Sequence, residues 1–497
     1  MSSQDSVSSE QGDTLPNHRE LLKVLIVAFV AATWDSTFLV AELCVVGFAI
    51  FVPLSAWAVL GYFVLVFGLA ILASDMPFAV GGFRVYGADI LAVFFAAWAV
   101  RKLIASLLEQ NFSINRPSAE RSLIRAFLAL AAYGVIAAAV GIANGHPLRD
   151  VLGDYRRQFF YALAFLLPLI MRLRRPHLDA VKFALFAAVA ATTIIGLRRF
   201  ARGESWAPDS YMIVGFDPRF LSATELVPLS SCLAYVSVVL RSRVSFAIKS
   251  LALCGASVAF IMLFISGWRM GLLLSVGAPA AAMFLLTWTR REPLSGPVKA
   301  AATLATLAVV GAMVLAFAFP DAADGQLQRT LDRFSHLNPA DDQRYYTWLE
   351  ALNTYRANPL FGAGLGHQLW FYMRSSAGVM IGATGTTHNY LLEVLYRGGP
   401  IAILLVLGIQ VAFNLYVLRN VRAVPLRDQA IVIGLYVGYL CCFFIHLLEP
   451  NTPAGVAALY LSMGFVVRFL RDCDGSNAVT EASPLAQSPH SDPAPAP

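Results

Sequence analysis

The sequence predicts an all-α polytopic membrane protein of 12–14 transmembrane helices with one large, partly helical loop on the non-cytoplasmic side, the helices being counted from apolar stretches along the chain. Three observations carry this. Hydrophobic residues make up 58% of the 497 and charged residues only 14%, against about 25% charged in an ordinary soluble domain, and mean hydropathy is +0.65. The apolar residues gather into stretches approaching or exceeding the roughly 20 residues that cross a hydrocarbon core. Short basic loops recur after every second stretch, as the positive-inside rule requires of cytoplasmic loops. A soluble enzyme, a fibrous chain and a disordered regulator are excluded.

The elements follow in order. Residues 1–20 open with an acidic, serine-rich run (MSSQDSVSSEQGD) and read as a disordered cytoplasmic N-terminus without the basic region of a cleavable signal peptide. The N-terminal transmembrane helices occupy 21–319, with apolar stretches near 22–35, 37–52, 54–73, 86–104, 122–142, 157–171, 178–197, 219–240, 247–267, 270–288 and 298–319. A large outer loop spans 320–387, and the C-terminal helices fill 388–470, near 388–418, 428–446 and 452–470. Residues 471–497 are rich in Pro, Ser and Ala without apolar periodicity and read as a disordered cytoplasmic tail. Basic clusters such as Arg101–Lys102, Arg172–Arg175, Arg290–Arg291 and Arg419–Arg427 mark the cytoplasmic loops. Both termini are then cytoplasmic and the number of spans is even.

A net charge of +6 points to no nucleic-acid partner. Five cysteines lie in apolar stretches and Cys473 in the tail, with no CxxC pair, so they read as small hydrophobes rather than as disulfides or zinc ligands.

The outer face carries an unexpected set of arginines. Arg149, Arg156, Arg157, Arg198, Arg199, Arg202, Arg219 and Arg269 lie there, and the long loop adds Arg329, Arg333, Arg344, Arg356 and Arg374, with no lysine among them. A guanidinium offers a planar fork that binds phosphate in bidentate fashion, which points to a phosphate-bearing ligand. Lipid headgroups or neighbouring carboxylates are the alternative partners. Arg269, in FISGWRMGLLLS, sits between two apolar spans, where a charge is costly unless it is paired or snorkels to the headgroups.

Within the loop, DDQRYYTWLEALNTYRA predicts a helix capped by Asp341 or Asp342 and ending before Asn358–Pro359. Tyr345, Trp348, Leu349, Leu352 and Tyr355 recur at three- and four-residue steps as one apolar face, with Arg344 and Trp348 at i and i+4. FGAGLG follows, in which Gly362, Gly364 and Gly366 either let backbone approach a sugar or phosphate or serve tight packing. His388 and Asn389 stand where the chain re-enters the membrane, and a histidine at a helix start either accepts a proton near neutral pH or is structural.

Taken together, Ser266–Arg269, then Asp341, Arg344 and Trp348, then NPLFGAGLG at 358–366, then His388–Asn389–Tyr390 followed by Gly398 and Gly399 resemble the O-antigen ligase and O-antigen polymerase superfamily of bacterial membrane glycosyltransferases. The resemblance covers about 260–405; this chain has GWR where many members show a Ser-Arg pair. It implies an inner-membrane enzyme whose loop is periplasmic and whose donor is a glycan on undecaprenyl diphosphate. The acceptor hydroxyl belongs to lipid A-core in a ligase or to another lipid-linked glycan in a polymerase. It further implies His388 as base, Arg269 and Arg344 as diphosphate ligands, and Asn389, Arg219 and Arg198 as supporting residues. Diphosphate is already a good leaving group, so neutralisation and positioning suffice, and neither a metal nor another cofactor is expected. A single histidine after the large loop leans towards the ligase. A flippase or other transporter is a third reading, disfavoured because Asp89, Glu225 and Glu393 lie near outer span ends, leaving Glu42 as the deep carboxylate.

Overall fold

The structure is a computed structural model that describes residues 56–70, 78–80, 83–92, 94–95, 98, 118–170, 173, 175–202, 220–242, 245–266, 268–290, 343–374, 380–448 and 452–481. The expected spans near 22–35, 37–52 and 298–319 lie outside them, and that near 86–104 is covered in part.

The protein is an all-α polytopic membrane protein ornamented by two small hairpins. The chain runs through α1 (Ala56–Gly68), the hairpin β1–β2 (Phe78–Val80 and Phe83–Val85), α2 (Ser118–Ala143) and α3 (Leu148–Tyr155). A π turn at Arg156–Phe160 and a 3₁₀ stretch at Tyr161–Leu166 then lead into α4 (Leu167–Ile170). Next come α5 (Arg175–Arg202), α6 (Leu226–Arg241), α7 (Phe246–Ile265) and α8 (Arg269–Arg290). After the long loop's α9 (Gln343–Ala357) and the hairpin β3–β4 (Leu369–Arg374 and Met380–Gly385) follow α10 (Tyr390–Asn420), α11 (Leu426–His446) and α12 (Pro453–Glu481).

Among the described residues seven helices are long and apolar enough to cross a membrane: α2, α5, α7, α8, α10, α11 and α12; α1 and α6 are shorter apolar helices. A helix satisfies every interior backbone group within itself, which is why the apolar stretches take this form. Of the stretch expected at 157–171, residues 157–170 are helical but wind as π, 3₁₀ and α in turn. The last helix runs on to Glu481, into the region expected to be a disordered tail, the remainder of which lies outside the described residues.

Helix α6 is the hub, packed against α5, α7, α8 and α11 and buried along nearly its whole length. Its Ser230, Ser231 and Ser237 hydroxyls each donate to the carbonyl four residues back, at 2.6, 2.9 and 2.7 Å, so none of the three buried hydroxyls is stranded. Gly438 of α11 lies so close to Ser231 that no Cβ fits, the close approach by which small residues substitute for a hydrophobic driving force between membrane helices.

Helix α9 stops at Ala357, immediately before Asn358–Pro359 as expected, while Asp341 and Asp342 lie outside the described residues. Its buried face differs from the expected one. Thr347 and Ala351 are fully buried and Tyr355 packs beside Ala351, Leu369 and Tyr396, whereas Tyr345, Leu349 and Leu352 are exposed. Small side chains let α9 press against α10 and β3, and an apolar stripe in a membrane protein has no obligation to face the protein core. The β3–β4 hairpin goes beyond the sequence expectations. Leu369 and Phe371 point inward and Trp370 and Tyr372 outward, the period of two that the aromatic run LWFY carries.

Candidate functional site

The site forms where the long loop meets the start of α10. Pro400 has no N–H to donate and kinks that helix at Gly399, whose φ is 73°. The carbonyls released by the kink are taken by the glycine loop: Ala363 N donates to Tyr396 O at 2.7 Å and Gly364 N to Arg397 O at 3.1 Å. From α2, Tyr133 donates its hydroxyl to Gly398 O at 2.6 Å, while Leu365 N reaches Ala137 O at 3.2 Å. Gly362, Gly364 and Gly366 have φ of 69°, 84° and 84°, and a Cβ on Gly364 would lie 2.5 Å from Gly141 Cα. Of the two roles open to these glycines, the structure realises tight packing against α2 and α10.

Below this loop lies a buried charge cluster. Arg397 Nη1 is 2.6 Å from Glu393 Oε2 and 3.1 Å from Asp154 Oδ1, and Arg397 Nη2 donates to His367 O at 3.2 Å. Asp154 Oδ2 accepts from Gly366 N at 2.8 Å, and the guanidinium carbon stands 5.0 Å from the centre of the Tyr396 ring. Arg397 was not among the arginines singled out from the sequence; the Glu393–Arg397 spacing of four on a helix was the available signal. His367 is held below its ordinary pKa by burial first, then by His146 and Arg397, with Asp154 opposing.

His388 stands between β4 and α10 with φ 52°, the one non-glycine residue in the left-handed region among the described residues. Its side chain is half-buried. Thr387 before it is fully buried and accepts a 2.6 Å hydrogen bond at its carbonyl from Trp348 Nε1 of α9. Arg344 lies one turn before Trp348 and is half-buried. This hydrogen bond therefore ties the helix that carries Arg344 to the turn that carries His388. The partly positive N-terminus of α10 beside them favours anions.

Asn389 is the N-cap of α10, its side chain accepting from Leu392 N at 3.0 Å, so its oxygen is engaged in holding the helix. Arg269 is the first residue of α8, directly after a turn in which Trp268 Nε1 donates to Leu221 O at 2.6 Å; its side chain lies outside the described residues. Arg219 also lies outside them. Arg198 is exposed near the end of α5, a helix that packs on α1, α6 and α7. Other outer arginines pair with carboxylates, the alternative open to them from the start: Arg156 with Asp89 at 2.8 Å and Arg199 with Glu225 at 3.4 Å. With Glu393 on Arg397, each of the three carboxylates noted near outer span ends has an arginine beside it.

No curated protein matches the chain. Residues 254–407, from within α7 to the middle of α10, match the family model described as O-antigen ligase (Wzy_C), and the matched segment holds Arg269, Arg344, Trp348, the glycine loop and His388.

Proposed function

We propose that the protein is an O-antigen ligase-type glycosyltransferase that moves a glycan from undecaprenyl diphosphate to a hydroxyl of lipid A-core on the periplasmic face of the inner membrane. The observation that carries this reading is the Trp348–Thr387 hydrogen bond, which joins the Arg344 helix to the His388 turn inside the matched domain. In this reading His388 accepts the proton of the acceptor hydroxyl as it attacks the anomeric carbon. Arg344 and Arg269 hold the departing diphosphate. The C–O bond to diphosphate breaks as the new glycosidic bond forms, and the lipid diphosphate leaves as an anion. Because that leaving group needs charge neutralisation rather than protonation, the reaction runs without a metal. Asn389, Arg198 and Arg219 support the site, with Asn389 acting through the helix cap.

The test is reconstitution of the purified protein with an undecaprenyl-diphosphate-linked oligosaccharide, with and without lipid A-core. Glycan on lipid A-core supports the ligase reading. Longer glycan on the carrier lipid alone makes it a polymerase, and a donor that merely changes leaflet makes it a flippase. In the same assay Arg344→Lys keeps the charge but loses the bidentate fork and is expected to cost about tenfold or more in rate; full activity in the lysine variant removes Arg344 from the diphosphate site.

A further inference from the structure

Thr387, the residue before His388, is gripped from two helices. From α9, Trp348 Nε1 donates to Thr387 O at 2.6 Å. From α10, Glu393 Oε1 accepts from Thr387 N at 2.9 Å and stands 3.3 Å from Thr387 Oγ1. The same hydroxyl donates to Asn389 O at 2.9 Å and accepts from Asn389 N at 3.3 Å, closing a small ring of bonds around His388. Glu393 is in turn fixed by Arg397 at 2.6 Å, and Arg397 by Asp154 at 3.1 Å.

This cluster is more than the fold of α10 needs. The helix already has an N-cap in Asn389, so Glu393 is not required to cap it. Glu393, Arg397 and Asp154 are all buried, and burying three charges is a poor way to gain stability. What the arrangement does accomplish is local. It pins both polar backbone groups of Thr387 and its hydroxyl, and the next residue is the one non-glycine side chain held in the left-handed region among the described residues. Such conformations persist where the surroundings over-determine them. Glu393 is poorly placed to be a base itself, because one carboxylate oxygen accepts from Thr387 and the other from Arg397.

We propose that Glu393 is a positioning residue for the transfer reaction: braced by Arg397 and Asp154, its carboxylate locks Thr387 so that the His388 imidazole stays directed at the acceptor hydroxyl. The inference rests on the reading of His388 as the base. It also gives α9 a second task, since Trp348 grips the carbonyl of the same residue.

The experiment measures glycan transfer by the full-length protein in liposomes, with the undecaprenyl-diphosphate-linked oligosaccharide and lipid A-core, for Thr387→Val, Thr387→Ser, Glu393→Gln and His388→Ala. Thr387→Val removes the hydroxyl at constant shape, and Glu393→Gln removes the charge. Both are expected to lower kcat by about 10- to 100-fold, because small misplacements of a catalytic group cost rates of that order, with KM for donor and acceptor within about twofold of the parent. Thr387→Ser, which keeps the hydroxyl, recovers most of the loss. Parental kcat in both Thr387→Val and Glu393→Gln overturns the inference, and so does a fall expressed in KM alone. Loss of folded protein in both variants, read by thermal melting in detergent, also overturns it, because the cluster would then be holding the fold. An active His388→Ala variant removes the base reading and the inference with it. An inactive His388→Ala beside fully active Thr387→Val and Glu393→Gln removes only the inference.

Discussion

Two turns flank the β3–β4 hairpin and both use left-handed backbone, but they use it differently. The turn at 362–366 takes that conformation at three glycines, for which it carries no Cβ penalty, and its amides close onto Tyr396, Arg397, Ala137 and Asp154. The turn at 387–389 takes it at His388, where an L side chain costs about 1–2 kcal/mol, and restrains it through Trp348 and Glu393. The first turn is filled to the last ångström by its neighbours and leaves no room for a ligand at Gly364. The second presents a half-buried imidazole in a strained backbone. Strain kept at one residue while an unstrained solution stands nearby points to function at that residue, and perfect packing at the other points to fold.

The comparison is sharpened most by His388→Ala. Removing a general base lowers transfer by about 10²–10⁴-fold, with melting temperature and membrane level preserved; ordinary transfer by that variant would break the functional half of the contrast. Gly364→Ala tests the other half. A Cβ 2.5 Å from both Gly141 Cα and Gly141 N, in a backbone with φ 84°, adds overpacking to conformational strain and should cost about 3 kcal/mol. Thermal melting in detergent reads this, and an unshifted transition would mean the glycine loop is free to move.

A smaller effect compares two replacements at one position. His388→Gly relieves the left-handed strain that His388→Ala keeps, so it should be the more stable variant by about 1 kcal/mol. If the alanine variant melts higher, the strain at this turn is not real. The smallest effect concerns His367, at the end of the glycine turn. Burial and nearby cations lower its folded pKa relative to the ordinary 6.5 of the unfolded chain, so the unfolded chain binds the proton more readily. Its contribution is intact above that value and is lost as pH falls below it. The wild-type melting temperature should therefore drop more between pH 7.5 and 5.5 than that of His367→Gln; equal drops would assign the acid sensitivity elsewhere.

Much of this molecule is legible in its residues. Apolar stretches became helices because a chain in lipid must satisfy its backbone internally, and Pro359 ended α9 because proline disfavours helix in its predecessor. The order of Arg344, Trp348, the glycine loop and His388 carried the resemblance to the O-antigen ligase model that residues 254–407 match. Less legible was the face on which α9 packs. Periodicity detects apolar stripes, yet the face that α9 buries holds Thr347 and Ala351, whose merit is size. Arg397 was overlooked for a similar reason: an arginine just inside a span attracts notice only when its carboxylates are known, and Asp154 lies 243 positions earlier in the chain.

By itself, then, the sequence determined the membrane class, the helical stretches within it and the order of the residues on which the family resemblance rests, because hydrophobic length, proline and local spacing act along the chain. Tertiary structure alone decided that the glycines serve packing, that Arg397 binds Asp154 to Glu393, and that His388 sits strained beside a Thr387 held from two helices. Those outcomes depend on which distant groups meet in space, and one-dimensional spacing does not encode such meetings.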